Sequence, residues 1–500
     1  MESKLSLSFQ RSNTKSSSKN YHFQLSFLES LNCVKIIVKS AIPTSFTFIV
    51  NTFTGIFLFK NIGIYGTPNE LAGASIGYTL VNIFCFGIFF SIDLGFSVIA
   101  AKLFGAKKLK ELGVLYQRNL SLIAALAIPL FSLLLMANNI LVFLGVDPEV
   151  ALNTGIYIRH IIPSIIGTCI FNSTRFFLIS QNVFNVQGII LAILAPIHIV
   201  WCEVFVGNTS STIAGAAIAK SITDMSAATI LLLYIKFSGV CGEAWTSWTR
   251  ESLKGWVSHL KETLILGGNL YVDLISVEAS VLVISLLNDV YVLGAQGVAD
   301  NFVYAVFMLT VGTTISMHAY MGNAVGEGSV DKAKNYLISG LLVNGVIAFF
   351  NSLLMIIFCK DIAMFFISDE KGASILQNMF LIYGFSHITE TMINGIGGAL
   401  RIMGEERLVL TSFAVCYFGI AFNCQWLFGV ALEFGYMAIW LSRAAATYLL
   451  LFIMVKNILK LNWEEEIKKV RNELIVRDQE ANYYIELTES HGKTKTISSI

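Results

Sequence analysis

Residues 337–359 read LISGLLVNGVIAFFNSLLMIIFC, a run of 23 positions without a single Asp, Glu, Lys or Arg. About 20 apolar residues in a helix cross the roughly 30 Å of hydrocarbon in a bilayer, and a helix satisfies its own backbone hydrogen bonds there. Eleven more predominantly apolar stretches of about this length or longer occur, at residues 36–59, 71–101, 119–145, 155–180, 186–206, 213–236, 262–288, 294–320, 375–400, 407–432 and 434–458. The sequence therefore predicts an all-α membrane protein with twelve transmembrane helices.

The composition of the 500-residue chain agrees with this interpretation. Hydrophobic residues make up 55% and charged residues 13%, against roughly 25% charged residues in soluble chains. The net charge is +1, so no surface for nucleic acid is expected. No G-x-x-x-x-G-K-[ST] motif for ATP occurs, and the histidines and cysteines lack metal-ligand spacing. We therefore expect neither an enzyme nor a bound metal or cofactor.

Positive charge is concentrated in the even-numbered connections between the predicted spans. The second connection carries Lys107, Lys108 and Lys110, whereas the third has no Lys or Arg. Because positively charged loops stay in the cytoplasm, both termini are predicted to be cytoplasmic. The predicted organisation is an N-terminal tail at 1–34, a six-helix lobe at 35–236, an interfacial cytoplasmic linker at 237–261, a second six-helix lobe at 262–458 and a charged C-terminal tail at 459–500. The linker is expected to form a surface helix, and the tail a short solvated helix.

The two halves show signs of an internal repeat. Gly73 and Gly294 each open an apolar stretch 221 positions apart, and Gly105 and Gly326 close a stretch at the same offset. Repeats with an even number of spans keep the same orientation, so an axis along the membrane normal relates them. The prediction is two six-helix lobes about a pseudo-two-fold axis, with a cavity between them.

Acidic residues inside the predicted spans are the candidate coupling groups. A carboxylate at bilayer depth costs roughly 2.5–3.5 kcal/mol on insertion scales, so such a residue is usually functional or paired. Glu278 and Glu390 are the main candidates, joined by Asp273 and Asp300. Burial and mutual repulsion let carboxyl groups exchange protons near neutral pH. The alternative is a structural ion pair with a basic residue such as Arg443.

Side chains near these acids are candidates for a substrate cavity. Tyr271, Phe302 and Tyr304 could add cation–π contacts to an organic cation. Asp93, Glu203 and Asp224 also occur in or near spans, at depths that the sequence leaves open.

Several motifs make the sequence similar to the multidrug and toxic compound extrusion (MATE) family, eukaryotic type. Met321–Gly328, read as MGNAVGEG, resembles the family's V-G-N-x-x-G-x-G stretch, and Gly397–Gly404, read as GGALRIMG, resembles its G-x-L-R-G-x-G motif in the tenth helix. Asp273 and Glu278 keep the five-residue spacing of two family glutamates. The family's eighth-helix glutamate aligns with Asn301, beside Asp300. Asn301 and Asn394 complete the set of substrate-cavity candidates.

The resemblance implies a secondary active antiporter that exports organic, mainly cationic, compounds by alternating access. H⁺ is the expected coupling ion and Na⁺ the alternative. A monomer in the plasma membrane or in a vacuolar or lysosomal membrane is expected. Alternative functions are a lipid-linked-saccharide flippase of the same superfamily, a channel, or a membrane-embedded enzyme. The acidic cavity favours cations over the flippase's anionic pyrophosphates.

Overall fold

The computed structural model describes residues 2–208, 211–473 and 475, with side chains described for residues 29–206, 211–473 and 475. The described chain is helical, without strands. Its twelve long helices are α1 Glu2–Tyr65, α2 Pro68–Gly105, α3 Leu109–Leu135, α4 Pro148–Ser180, α5 Asn185–Asn208, α6 Thr212–Ser238, α7 Trp256–Ser285, α8 Val290–Glu327, α9 Val330–Phe366, α10 Glu370–Ile402, α11 Glu406–Ala431 and α12 Gly435–Lys460. Residues 82–86 of α2 and most of the second half of α11 are π-helical.

Eleven of these helices are long and apolar enough to be membrane spans by composition. The exception, α10, carries Glu390, His387 and many small or hydroxyl side chains. Its 33 residues, at about 1.5 Å each, still exceed the thickness of the hydrocarbon layer. The twelve apolar stretches fall within the twelve long helices and their end turns. The exception is the third predicted stretch, 119–145, which extends past the end of its helix: α3 ends at Leu135 and a short helix, Ala137–Phe143, follows.

Polar side chains cap the start of five of the long helices, and four of these caps repeat along the chain. Thr67 caps α2 and Asp289, 222 positions later, caps α8. Asp147 caps α4 and Asp369, again 222 positions later, caps α10. Each side chain accepts a hydrogen bond from backbone N–H groups of the first turn, which satisfies donors that have no partner inside the helix. The two halves therefore begin equivalent helices at equivalent positions.

Helices α1–α6 pack into one lobe and α7–α12 into the other. Contacts between the lobes come chiefly from α1 with α8, α2 with α7, and α2 with α8. These pairs map onto one another when the first six helices are exchanged with the last six. The predicted pseudo-two-fold relationship between two six-helix lobes is confirmed.

The lobes make close backbone contact where α2 and α8 end, a contact that we call the seam. A Cβ on Gly105 would overlap the carbonyl oxygen of Asn323, and a Cβ on Gly326 would overlap that of Lys102. The two contacts are counterparts by the repeat, because Asn323 and Lys102 are also 221 positions apart. Only glycine allows the two backbones to approach so closely at this end, which is the predicted cytoplasmic end.

The linker and the C-terminal tail differ from expectation. Two short 3₁₀ turns, Gly242–Ala244 and Arg250–Leu253, replace the expected linker helix, since Gly239, Gly242 and Gly255 adopt positive φ. Residues 463–473 are helical, as expected of the tail, but this helix is docked: Ile467 and Val470 are only 3% and 4% exposed. They belong to a core that includes residues of α8 and α9.

Candidate functional site

The four acidic residues singled out by the sequence lie on three neighbouring helices of the C-terminal lobe. Asp273 and Glu278 belong to α7, Asp300 to α8 and Glu390 to α10. Electrostatic interactions connect Glu278 with Asp300 and Glu390 with Asp273. The structure thus gathers all four carboxyl groups into one group, which we call the acidic cluster.

Arg443 of α12 is the cationic member of this site. Its Nη2 lies 3.1 Å from Asp273 Oδ1, and its Nη1 donates to the Ser276 hydroxyl at 2.9 Å. The ring of Tyr417 lies 5.0 Å from the guanidinium carbon, a cation–π arrangement. The structural alternative therefore applies to Asp273. The other three carboxyl groups have no ion pair in the described part of the chain, although Arg443 also interacts electrostatically with Glu390 and Asp300.

Uncharged donors hold two of the remaining three acids, Asp300 and Glu390. Gln296 Nε2 donates to Asp300 Oδ1 at 2.8 Å, and Trp440 Nε1 donates to Gln296 Oε1 at 2.8 Å. Glu390 lies within hydrogen-bonding reach of the Tyr383 hydroxyl. Such donors stabilise a carboxyl group without neutralising its charge. Among the described residues, no group of three or more His, Cys, Asp or Glu side chains is arranged for a metal ion.

One stripe of α8 faces the opposite lobe above the seam. Gly294, Gly297, Asn301 and Tyr304 are exposed and share this stripe, and Tyr304 interacts electrostatically with residues of the N-terminal lobe. No atom lies within 4 Å of a Cβ built on Gly294 or Gly297. The lobes are in backbone contact at the seam, whereas this side of α8 is open; we call the open space beside Asn301 and Tyr304 the cleft.

The other substrate-cavity candidates lie in different surroundings. The ring of Tyr271 packs against Gly87 of α2 and so bridges the two lobes. Asn394 donates to the backbone carbonyl of Glu390 one turn earlier. Phe302 stacks within the C-terminal lobe, with its ring centre 4.9 Å from that of Phe380, so it lies away from the stripe that faces the cleft.

A separate cavity of about 1150 Å³ opens at the end of the C-terminal lobe opposite the seam. The turns between α7 and α8, α9 and α10, and α11 and α12 surround it. Its charged lining residues are Asp289, Asp369, Glu370, Lys371 and Glu433. We call this cavity the mouth of the C-terminal lobe. Val292 and Tyr436 line it one helical turn before Gln296 and Trp440, so the mouth leads toward the acidic cluster.

The family model described as MatE matches residues 43–204 and residues 268–427, one match in each lobe. The chain belongs to the MATE family. Rabbit (Oryctolagus cuniculus) multidrug and toxin extrusion protein 1 is 24% identical to it over 403 residues, which cover 80% of this chain and 71% of that protein. Protein DETOXIFICATION 30 of Arabidopsis thaliana is 26% identical over 399 residues, which cover 79% of this chain and 80% of that protein.

Solved structures agree with this membership at the level of the fold. The crystal structure of the eukaryotic MATE transporter AtDTX14 matches with a TM-score of 0.82 at 17% identity, covering 90% of this chain and 99% of that chain. The Vibrio cholerae MATE transporter VcmN, in its bent form, matches with a TM-score of 0.72 at 14% identity, covering 89% of this chain and 99% of that chain. This MATE protein is thus a multi-pass membrane transporter of the multidrug and toxin extrusion type.

The N-terminal lobe of this MATE protein holds a second polar group, formed around the predicted acid Asp93 by Arg175, a residue that the sequence analysis does not single out. Arg175 is 0% exposed, and its guanidinium carbon lies 4.3 Å from the ring centre of Phe48. Its nitrogens have no hydrogen-bond partner among the described residues, and its electrostatic partner is Asp93. Asn119 donates to Asp93 at 2.8 Å. An arginine deep within the apolar stretch 155–180 was the available signal, because an uncompensated charge there is costly.

The two remaining acids of uncertain depth now have defined surroundings. Asp224 is buried and forms an ion pair with Lys220 at 2.6 Å, and Thr168 donates to it at 3.4 Å. Glu203 is exposed on α5, with the Tyr65 hydroxyl 3.5 Å from its carboxylate. Both therefore lie outside the acidic cluster of the other lobe.

Proposed function

We propose that this MATE protein is a secondary active antiporter that exports organic, mainly cationic, compounds in exchange for protons. The observation that carries the proposal is the acidic cluster, in which Arg443 interacts with Asp273, Asp300 and Glu390, and Glu278 interacts with Asp300. Carboxyl groups kept away from water favour the uncharged form, and opposing carboxylates repel one another. Proton binding and cation binding therefore compete for the same negative charge.

A transport cycle follows from this competition. With the lobes closed at the seam and separated at the other end, protons enter the acidic cluster and weaken the attraction for a cation in the cleft. The cation leaves, the lobes exchange their closed ends, and the protons are released on the opposite side. Linkage requires that the two ligands weaken each other's binding by the same factor.

Orientation, membrane and assembly belong to the same proposal. The seam and both termini are placed in the cytoplasm, since the Lys-rich connections lie at that end. The closed seam then corresponds to a state open to the outside or to the lumen of a vacuole or lysosome. The site is complete within one chain, so transport is assigned to the monomer.

Transport in proteoliposomes tests this proposal. We expect an imposed pH gradient to drive exchange of fluorescent organic cations, ethidium among them, while a Na⁺ gradient alone does not. Glu278→Gln and Glu390→Gln should each reduce the pH-driven rate at least tenfold, because the proton-binding charge is removed. Glu203→Gln, at an exposed position of α5 outside the acidic cluster, is the matched control and should retain the native rate.

Three outcomes would overturn the assignment. Native pH-driven exchange in both glutamine variants would show that the acidic cluster does not couple transport to protons. Exchange driven only by Na⁺ would replace H⁺ by Na⁺ as the coupling ion. Movement of a lipid-linked pyrophosphate, with no organic cation exchanged, would support the flippase instead.

A further inference from the structure

Asp300 is the end of a short chain of hydrogen bonds that begins on α12. Trp440 Nε1 lies 2.8 Å from Gln296 Oε1, and Gln296 Nε2 lies 2.8 Å from Asp300 Oδ1. Gln296 is 3% exposed, and one turn of α8 separates it from Asp300. The amide is thus enclosed and has a partner at each end.

The orientation of this amide follows from hydrogen-bond chemistry. The oxygen and nitrogen of a glutamine amide look alike, and their assignment depends on their partners. An indole N–H can donate but never accept, so the amide atom that faces Trp440 has to be the oxygen. The NH₂ group is then directed at Asp300, and Trp440 prevents the amide from presenting its oxygen there.

We propose that Gln296 and Trp440 are positioning residues that set how readily Asp300 takes up a proton. This role rests on the proposed proton antiport. An amide NH₂ donates to a carboxylate, whereas a protonated carboxyl group also needs an acceptor for its own O–H. The fixed amide therefore favours ionised Asp300. The other charged groups around Asp300 are Glu278 on α7 and Arg443 on α12.

Gln296 and Trp440 lie between the mouth of the C-terminal lobe and Asp300. Val292, Gln296 and Asp300 follow one another at four-residue spacing along α8. On α12, Tyr436 lies one turn before Trp440. Val292 and Tyr436 line the mouth, so Gln296 and Trp440 separate the mouth from Asp300. A proton that arrives through the mouth meets this pair before it reaches the carboxyl group.

The test is the dependence of exchange on the pH of the side open to the mouth, with the pH of the other side fixed. Trp440→Phe keeps a ring but removes the N–H, so the amide is free to turn its oxygen to a protonated Asp300. The pH of half-maximal exchange should rise by about one unit, or about tenfold in proton concentration, the size of one hydrogen bond to a charged group. Gln296→Met removes the amide and should shift the profile in the same direction.

Three further variants make the result decisive. Trp426→Phe, a tryptophan 51% exposed on α11, is the matched control and should leave the profile unchanged. In an Asp300→Asn background, Trp440→Phe should cause no additional shift, because the group that it acts on is gone. Thermal unfolding in detergent identifies any variant that fails to fold. If Gln296→Met fails to fold, the test rests on Trp440→Phe alone.

The outcomes separate this inference from the function on which it rests. If Asp300→Asn itself keeps the native pH profile, the proposed role of Asp300 is wrong. If Asp300→Asn changes the profile while Trp440→Phe and Gln296→Met do not, the positioning role is wrong and the antiport proposal stands. A loss of thermal stability with an unchanged profile would assign the pair a structural role only.

Discussion

The seam offers a direct way to alter the balance between the two end states of the proposed transport cycle, one closed at the seam and the other closed at the opposite end. Gly105 and Gly326 each lie against the backbone of the other lobe, with no space for a Cβ. Gly105→Ala or Gly326→Ala should therefore push the lobes apart at the seam. The double variant should have the larger effect, because the two contacts are equivalent by the repeat.

The size of this effect can be estimated from the geometry. Each added methyl group overlaps a carbonyl oxygen, so the helices have to move by about an ångström or more to reach van der Waals separation. Overpacking of this kind typically costs about 1–3 kcal/mol. The overlap destabilises only the state that is closed at the seam. The population of that state, relative to the state open at the seam, should therefore decrease about 5- to 150-fold.

Distance measurements between the lobes provide the assay. Spin labels on Lys110→Cys and Asp331→Cys, two exposed positions at the seam end of α3 and α9, report the opening of the seam. The partly exposed thiols of Cys33 and Cys424 are replaced by serine in this background. Each alanine variant should show a larger fraction of long distances than the parent.

The matched control is Gly55→Ala, since nothing lies within 4 Å of a Cβ at that position in α1. Its distance distribution should match that of the parent. Equal distributions for the parent, Gly55→Ala and both seam variants would refute the claim that the seam depends on close backbone contact.

Two more variants test features outside the acidic cluster. Arg175→Leu should lower the thermal unfolding midpoint by several degrees, because Asp93 stays buried and loses its electrostatic partner. Adding Asp93→Asn should restore most of the loss, whereas no restoration would show that the two groups act independently. Val470→Asp should undock the helix at residues 463–473 and speed up tryptic cleavage within it several-fold, and cleavage at the parent rate would mean that this helix is not docked in solution.

The twelve helices and the acidic cluster could be predicted because both depend on the membrane. Apolar length and the cost of a charge in hydrocarbon act on each residue separately and are visible in one sequence. The placement of Asp273 and Glu278 in one lobe follows from chain order alone. Which of the two forms an ion pair does not follow from the sequence, because Arg443 reaches Asp273 only through the packing of α12.

Features that depend on the rotation of a helix could not be read from the sequence. Phe302 and Tyr304 are two positions apart on α8, yet one packs within the C-terminal lobe and the other faces the cleft. Successive residues of a helix turn by about 100°, so a small uncertainty in rotation exchanges such positions. The burial of Val470 could not be predicted for a related reason. It lies in a mostly charged segment, and its apolar contacts become visible only in the fold, where it joins a core with residues of α8 and α9.

The polar character of α10 has a consequence for how the protein is made. Glu390 and Arg401 would oppose entry of an isolated α10 into lipid, at roughly 2.5–3.5 kcal/mol for each charge placed centrally. In the finished molecule α10 packs against α8, α9 and α12, which supply the surroundings that the lipid lacks. During synthesis α8 and α9 are available before α10, and α12 only after it. Stable integration of the tenth segment therefore depends on neighbours on both sides of it in the chain, so a nascent chain arrested before α12 should retain α10 poorly in the bilayer.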